Sequence, residues 1–151
     1  MQVASEAAAN RKPIVVGPRD AALRAARTCY DHLAGRLGVD LADAMVVGGH
    51  IELASDAGMM TDSGMALLGK LGIDIEALVP RPDRRGIRLL CRPCLDWSER
   101  RPHLAGAIGA ALCTHCFDKG WIRRSEDTRA VSVTPKGQQA FREIFGLSAA
   151  R

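Results

Sequence analysis

Hydrophobic and polar positions in the first half of the chain predict a long helix, a hairpin and a second helix. Apolar residues recur at steps of three and four over 21–37, which predicts an amphipathic helix, and a short helix should follow over 41–47. The apolar stretches 50–53 and 59–60 flank a polar turn and predict a β-hairpin. Thr61 or Asp62 should then begin a helix that ends at Gly72. The apolar positions of the two longer helices are Leu23, Ala26, Tyr30, Leu33, Leu37, Met65, Leu67, Leu68 and Leu71.

The second half predicts the same order of elements. Residues 87–90 suggest a strand, and Cys91–Trp97 should be extended because Pro93 disfavours helix at the residue before it. A long helix should begin near 98–102 and end at Gly120. Residues 121–124 and 129–133 predict a hairpin, and Thr134 should open a last helix that reaches about Phe145.

Matching residues recur in order along the two halves. His32–Gly35 reads His-Leu-Ala-Gly, as does His103–Gly106, 71 residues later, and each motif has a further glycine three positions on, at Gly38 and Gly109. Gly49–Ile51 matches Gly120–Ile122 at the same offset. Thr61 and Gly64 match Thr134 and Gly137 at an offset of 73. The sequence therefore predicts an α+β fold made by tandem duplication of a helix–β-hairpin–helix unit, with winged-helix-like halves packed by pseudo-two-fold symmetry.

Composition and length agree with one globular domain. We interpret residues 1–19 as a flexible tail and 20–151 as a single duplicated domain, with halves 20–79 and 86–147. The chain has 151 residues, 47% hydrophobic and 25% charged. No apolar run is long enough for a membrane span and no secretory signal is evident, so we expect a cytoplasmic protein.

Charge is distributed unequally between the halves. Residues 21–78 carry four basic and eight acidic side chains, a net charge of −4, whereas 79–151 carry fourteen basic and seven acidic, a net charge of +7. The basic half could contact nucleic acid or another acidic partner, or could simply form a solvated surface.

Several segments resemble transcriptional regulators. Gly120–Arg124 followed by Arg129–Gly137 resembles the wing of MarR-type or ArsR-type repressors. Arg27–Gly35 and Arg92–Gly106 resemble the C-terminal extension of long ArsR-type winged-helix regulators, and the Cys-Leu-Asp-Trp-Ser-Glu-Arg-Arg run at Cys94–Arg101 is the most specific part. In such regulators a DNA-reading winged helix precedes this region, and we expect none within this sequence, where only residues 1–19 stand in its place. The resemblance implies an effector-sensing and dimerisation domain, standing alone or cut from a longer protein, with a homodimer as its assembly.

Two Cys-x-x-Cys pairs could hold a metal ion. Cys91, Cys94, Cys113 and Cys116 have the spacing of a four-thiolate zinc site. The alternatives are that some of these thiols are small buried apolar groups, or that one pair is a redox dithiol. A rival set uses the repeated positions, because Cys29 and His32 lie three residues apart on one predicted helix and His103 repeats His32. Cys29, His32, Cys94 and His103 would converge if the duplicated helices cross, and would suit zinc or another soft-ligand metal ion. A histidine in such a position is alternatively a hydrogen-bonded structural group.

The remaining polar residues favour a binding protein over an enzyme. No phosphate-binding loop, nucleophile elbow or His-Glu-x-x-His motif is present, so catalysis is not predicted, and a thiol redox enzyme is only a weaker alternative. A DNA-binding winged-helix protein that uses the 121–133 hairpin as its wing is the main alternative to the sensing domain. Its phosphate contacts would come from Arg123, Arg124, Arg129 and Lys136. The acidic and basic residues of 96–101 should form an ion network around Trp97.

Overall fold

Short antiparallel hairpins alternate with helices in the computed structural model, which describes residues 18–74, 76–78 and 91–148. The first half contains α1 (Pro18–Ala25), β1 (Arg27–Cys29), β2 (His32–Ala34), α2 (Gly35–Val47), β3 (Ile51–Leu53), β4 (Gly58–Met60), α3 (Asp62–Leu71) and a 3-10 turn (Glu76–Leu78). The second contains β5 (Cys91–Leu95), β6 (Pro102–Ala105), α4 (Gly106–Asp118), β7 (Ile122–Arg124), β8 (Val131–Val133) and α5 (Pro135–Phe145). The α+β class is confirmed. Most of the tail predicted over 1–19 and the strand predicted over 87–90 fall outside the described residues, whereas Pro18 and Arg19 belong to helix α1.

The long helix predicted over 21–37 is wrong. The chain forms α1, then the hairpin of β1 and β2, and only then α2. Tyr30, which fits the helical spacing, is 99% exposed at the tip of this hairpin with a φ of 60°. Gly35 begins α2 with a φ of 74°, a left-handed conformation that glycine adopts without strain. Two short strands joined by a tight turn place apolar residues at nearly the same spacing as a helix does, which is why the sequence predicted one. The left-handed Gly35 marks the start of the observed helix.

The second half departs from its prediction in the same place. Residues 102–105 form strand β6 instead of the first turn of a helix, and α4 begins at Gly106, where φ is 78°. Asp96 and Trp97, expected to continue the extended segment, lie in the turn between β5 and β6. Each half is therefore hairpin–helix–hairpin–helix over the described residues.

The second hairpin and last helix of each half are confirmed. The Thr61 hydroxyl accepts a hydrogen bond from the Gly64 amide at 3.0 Å, and the Thr134 hydroxyl accepts one from the Gly137 amide at the same distance. Gly72 and Gly146 end these helices in left-handed conformations. Local capping signals were thus sufficient to place both helices from the sequence.

The two halves pack reciprocally. Helix α2 lies against strand β6 of the second half, and α4 lies against β2 of the first. A Cβ atom built on Gly38 would lie 3.3 Å from the Cβ of His103, and one built on Gly109 would lie 3.3 Å from the Cβ of His32. These matched environments agree with a pseudo-two-fold arrangement, while the tandem duplication itself stays a prediction.

Two apolar clusters form the core, and each takes residues from both halves. Helix α2 contributes Leu41 to one cluster and Met45 to the other, while α4 contributes Cys116 and Ile108 in the same way. Burial of these side chains holds the first hairpins of the two halves against each other, because the hairpins lie on the same two helices.

Candidate metal centre

Two cysteines and two histidines converge where the first hairpins of the halves meet. Cys29 faces His32 across the β1–β2 ladder, and Cys94 faces His103 across the β5–β6 ladder. The ligand atoms of these four residues all lie within 4.8 Å of one another. Both histidines are buried and both cysteines are partly exposed. The structure therefore brings together the rival set that the repeat had indicated.

The two imidazole rings meet through their Nε2 atoms, which are 3.0 Å apart. Nδ1 of His32 lies 3.2 Å from a carboxylate oxygen of Asp31, and Nδ1 of His103 lies 3.1 Å from one of Asp96. A carboxylate only accepts, so a neutral ring that bonds to its carboxylate donates through Nδ1 and then presents a lone pair at Nε2. Two lone pairs at this distance repel unless a proton or another cation lies between them. Carboxylates that orient histidines in this way are usual partners of metal-binding imidazoles.

Asp96 is the polar centre of the hairpin junction. One of its carboxylate oxygens accepts hydrogen bonds from the Gly35 amide at 2.7 Å, from Arg27 at 2.9 Å and from His103. The other accepts from the amide and hydroxyl of Ser98 and from the Glu99 amide. Burial alone would raise the pKa of Asp96, but these donors and the charge of Arg27 hold that pKa well below its usual range. The carboxyl is therefore ionised near neutral pH.

Arg27 connects this junction to helix α1. Its guanidinium binds Asp96 and Ser98, and it also donates to the backbone carbonyl of Leu23 at 3.1 Å. The Trp97 ring covers the guanidinium at 4.3 Å. The ion network predicted around Trp97 therefore exists in another form, because Asp96 pairs with Arg27 from the other hairpin, and Arg101 pairs with Asp43.

Burial also affects the ionisation of the ligand side chains. Burial and the neighbouring Cys29 raise the pKa of Cys94. Burial and the neighbouring His32 lower the pKa of His103, an effect that Asp96 opposes. Because its pKa is lowered, the His103 ring is neutral near neutral pH. A neutral imidazole is the form that binds metal ions. If these thiols bound a metal ion they would lose their protons, so any uptake of an ion here would depend on pH.

The structure does not bring together Cys91, Cys94, Cys113 and Cys116. Cys113 and Cys116 pack in one apolar cluster and Cys91 in the other, while Cys94 lies at the hairpin junction. Helix α4 begins at Gly106, directly after the four residues of β6, and runs into the core. Its two cysteines therefore pack against apolar neighbours. Among the described residues, the only group of three or more potential metal ligands close enough to hold an ion is Cys29, His32, Cys94 and His103.

The residues predicted to contact phosphates lie in the second half near the β7–β8 hairpin. Arg123, Arg124, Arg129 and Lys136 are all exposed. Arg124 lies over the Phe117 ring at 4.2 Å and so packs against its own chain. Their exposure is compatible with contact to an acidic partner, and their role in nucleic-acid binding stays a prediction.

Sequence reasoning did not find the groups that surround the ligands. Asp31 and Arg27 were not singled out, and Asp96 was assigned other partners. An arginine lies two residues before the cysteine of each half, Arg27 in the first and Arg92 in the second. Arg92 is exposed, so the repeat could not predict that Arg27 is buried. Asp31 directly precedes His32, and that adjacency was the available signal.

Comparison with known proteins relates the chain to transcription factors. It is 41% identical over 125 residues to a Bacillus subtilis (strain 168) protein named "Uncharacterized HTH-type transcriptional regulator YdfF". The match covers 83% of this chain and 53% of that protein, so the chain spans about half the length of its relative. The similarity supports a connection to transcriptional regulators of the helix-turn-helix type.

The other comparisons return nothing for this chain. No family model matches it, and no solved structure is significantly similar. Over the described residues, none of the helices has the length and apolar character needed to cross a membrane.

Proposed function

We propose that this chain is the effector-sensing part of an ArsR-like transcriptional regulator, and that its effector is a soft-ligand divalent metal ion such as zinc. The observation that carries the proposal is the convergence of Cys29, His32, Cys94 and His103 within 4.8 Å. The similarity to an HTH-type regulator supplies the regulatory context. The chain spans only about half of that relative, so contact with DNA belongs to the proposal for the longer protein.

The donor set fits zinc. Two thiolates and two imidazoles form a common tetrahedral zinc site, with bonds of about 2.3 Å to sulfur and about 2.0–2.1 Å to nitrogen. Such bonds place ligand atoms about 3.3–3.8 Å apart in a tetrahedron. The separations of 3.0 Å between the imidazole nitrogens and at most 4.8 Å across the set are within about 1 Å of that arrangement.

Charge balance supports the same ion class. The junction already contains a neutral pair, Arg27 with Asp96, so a dication bound by two thiolates leaves no net charge buried there. A hard ion such as magnesium would need oxygen ligands, which the four residues do not provide. The bound ion would take the place of a proton between the imidazole lone pairs.

A hydrogen-bond path connects the ligands with helix α1. His103 binds Asp96, Asp96 binds Arg27, and Arg27 binds the Leu23 carbonyl. An ion that widens the separation of the imidazole nitrogens from 3.0 Å to about 3.3 Å would therefore shift groups that hold α1. Regulation requires that the ion binds one arrangement of this path more tightly than another.

Metal content tests the proposal. The protein is purified under reducing conditions, loaded with zinc or cobalt(II), dialysed and assayed by elemental analysis. We expect about one ion per chain, as one four-ligand site requires, with a sulfur-to-cobalt charge-transfer band. Cys29→Ser and His103→Gln should lose both signals.

Two matched variants separate this site from its alternatives. His50→Gln alters a histidine that bonds to Ser63 outside the junction and should keep the ion. Cys113→Ser should also keep it. Loss of the ion in Cys113→Ser with retention in Cys29→Ser would favour the four-cysteine set. A wild-type protein that takes up neither metal would overturn the proposal and leave the histidines as a structural hydrogen-bonded pair.

A further inference from the structure

Cys29 and Cys94 are neighbours in space although 65 residues separate them in the sequence. Their Sγ atoms lie within 4.8 Å of each other. They belong to different hairpins, β1 and β5, and neither is in a disulfide. Two thiols within 4.8 Å on separate elements need to approach to about 2.05 Å to form a disulfide, which is a small movement of the two hairpins.

Exposure distinguishes this pair from the other cysteines. Cys29 and Cys94 are partly exposed, whereas Cys91, Cys113 and Cys116 are buried. Burial raises the pKa of Cys91 and Cys113 to about 11, and burial with the nearby Cys113 raises the pKa of Cys116 to about 12. The pKa of Cys94 is raised as well, so exposure is what distinguishes the pair: an oxidant reaches the partly exposed thiols more easily than the buried ones.

We infer that Cys29 and Cys94 are a redox modification site that hydroperoxides oxidise to a disulfide between the two halves. One thiolate attacks the peroxide oxygen, which breaks the O–O bond and gives a sulfenic acid and water or an alcohol. The second thiol attacks that sulfur, the S–S bond forms and water leaves. Two electrons pass from the sulfurs to the peroxide, and a dithiol restores the pair by exchange.

The disulfide and the metal ion compete for the same sulfur atoms. This part of the inference rests on the proposed function, since it requires that Cys29 and Cys94 bind the ion. A disulfide sulfur is a poor ligand, so oxidation would leave only His32 and His103 and release the ion. The site would then respond to oxidants as well as to metal availability.

The first arm of the test uses the metal-free full-length chain. It is treated with hydrogen peroxide, alkylated and digested with trypsin, without prior reduction. We expect intact protein lighter by about 2 Da, for two hydrogens lost, and a linked pair of peptides covering 28–36 and 89–100. Peptide 89–100 also contains Cys91, so fragmentation between Cys91 and Cys94 assigns the partner. A disulfide to Cys91, a link between two chains, or sulfinic acid without a link would overturn the inference.

The second arm uses zinc-loaded protein and a colorimetric zinc indicator. Peroxide should release the ion in step with formation of the linked peptides, and dithiothreitol should restore binding. Cys94→Ser should give no linked peptides, while Cys113→Ser should behave as wild type. Linked peptides in the first arm without zinc uptake would sink the metal proposal and leave the disulfide standing. Zinc uptake without linked peptides would reject the disulfide and leave the metal proposal standing.

Discussion

Asp96 determines how the hairpin junction is held at the level of single residues. Its side chain is fully buried and both oxygens are satisfied by donors from three segments. A buried carboxylate without such donors would be unfavourable by several kcal/mol. The partners of Asp96 are therefore as important to the site as the ligands, and Arg27 is the one that supplies the opposite charge.

Arg27→Met should destabilise the protein strongly. The substitution keeps much of the apolar stem but leaves Asp96 buried without its cation, a change that typically lowers the free energy of unfolding by about 3–5 kcal/mol. Arg101→Met is the matched control, because the Arg101–Asp43 pair is exposed and should contribute no more than about 1 kcal/mol. Urea denaturation of both variants measures the difference, and equal losses would contradict a buried role for Arg27.

Cys116→Ala should change the response to alkaline pH. The folded-state pKa of Cys116 is about 12, above the value of about 8.5 for an unfolded thiol. The unfolded chain therefore loses its proton first, and stability falls as pH rises above about 8.5. Removing the thiol should lessen that slope by up to about 1.36 kcal/mol per pH unit. Urea titrations at several pH values between 7 and 10 measure it, and parallel curves for wild type and variant would refute the assignment.

At the level of elements, glycines determine where helices begin and how near they come. Gly38 and Gly109 lie one turn into α2 and α4, directly against the backbone of the preceding strand. A Cβ on Gly109 would lie 2.3 Å from the Leu104 carbonyl oxygen, which leaves no space for a side chain. The glycine therefore allows helix α4 to approach its own hairpin and His32 of the other half.

Gly109→Ala should lower both stability and metal affinity. Overpacking against backbone typically costs about 1–3 kcal/mol, and the shift should displace His32 from its partners. Gly69→Ala is the control, since a Cβ there would meet nothing within 4 Å and alanine favours a helix interior by about 0.5–1 kcal/mol. Thermal melts and cobalt titrations report the two effects. Gly109→Ala with unchanged melting would show that the backbone yields.

How far the sequence could predict the elements depended on the kind of local signal. Thr61 and Thr134 predicted the starts of their helices because capping is a local signal. The alternation of Val131 and Val133 with Ser132 is the local signal of strand β8. The first hairpins were missed because hydrophobic spacing does not separate a helix from two three-residue strands with a tight turn. The ligand set was found only through the repeat, and the pairing of Asp96 with Arg27 depends on tertiary contact that no local pattern encodes.

For the molecule as a whole, the shared clusters should make the two halves unfold as one cooperative unit. Each half contributes to both apolar clusters and one Cys–His pair to the junction. An ion bound there would connect both halves in the folded state, while the unfolded chain would hold its ligands far apart. Binding should therefore stabilise the entire fold instead of one hairpin.

Zinc should raise the melting temperature in a single transition. At a free concentration one hundred times Kd, the gain in unfolding free energy should be about 2.7 kcal/mol. Differential scanning calorimetry with and without zinc measures the shift. His103→Gln should show none, and lowering the pH should abolish the shift in wild type as the thiols regain protons. A rise confined to one of two transitions would indicate independently folding halves.

All four candidate ligands belong to one polypeptide, and this affects how the occupancy of the site would depend on the concentrations of ion and protein. Half-saturation of such a site depends on the free ion alone and stays the same when the protein is diluted, as long as ion binding is not coupled to association of the chains. A site shared between two copies would lose ions on dilution. A regulator built this way would report the availability of its ion independently of how many copies of the regulator a cell contains.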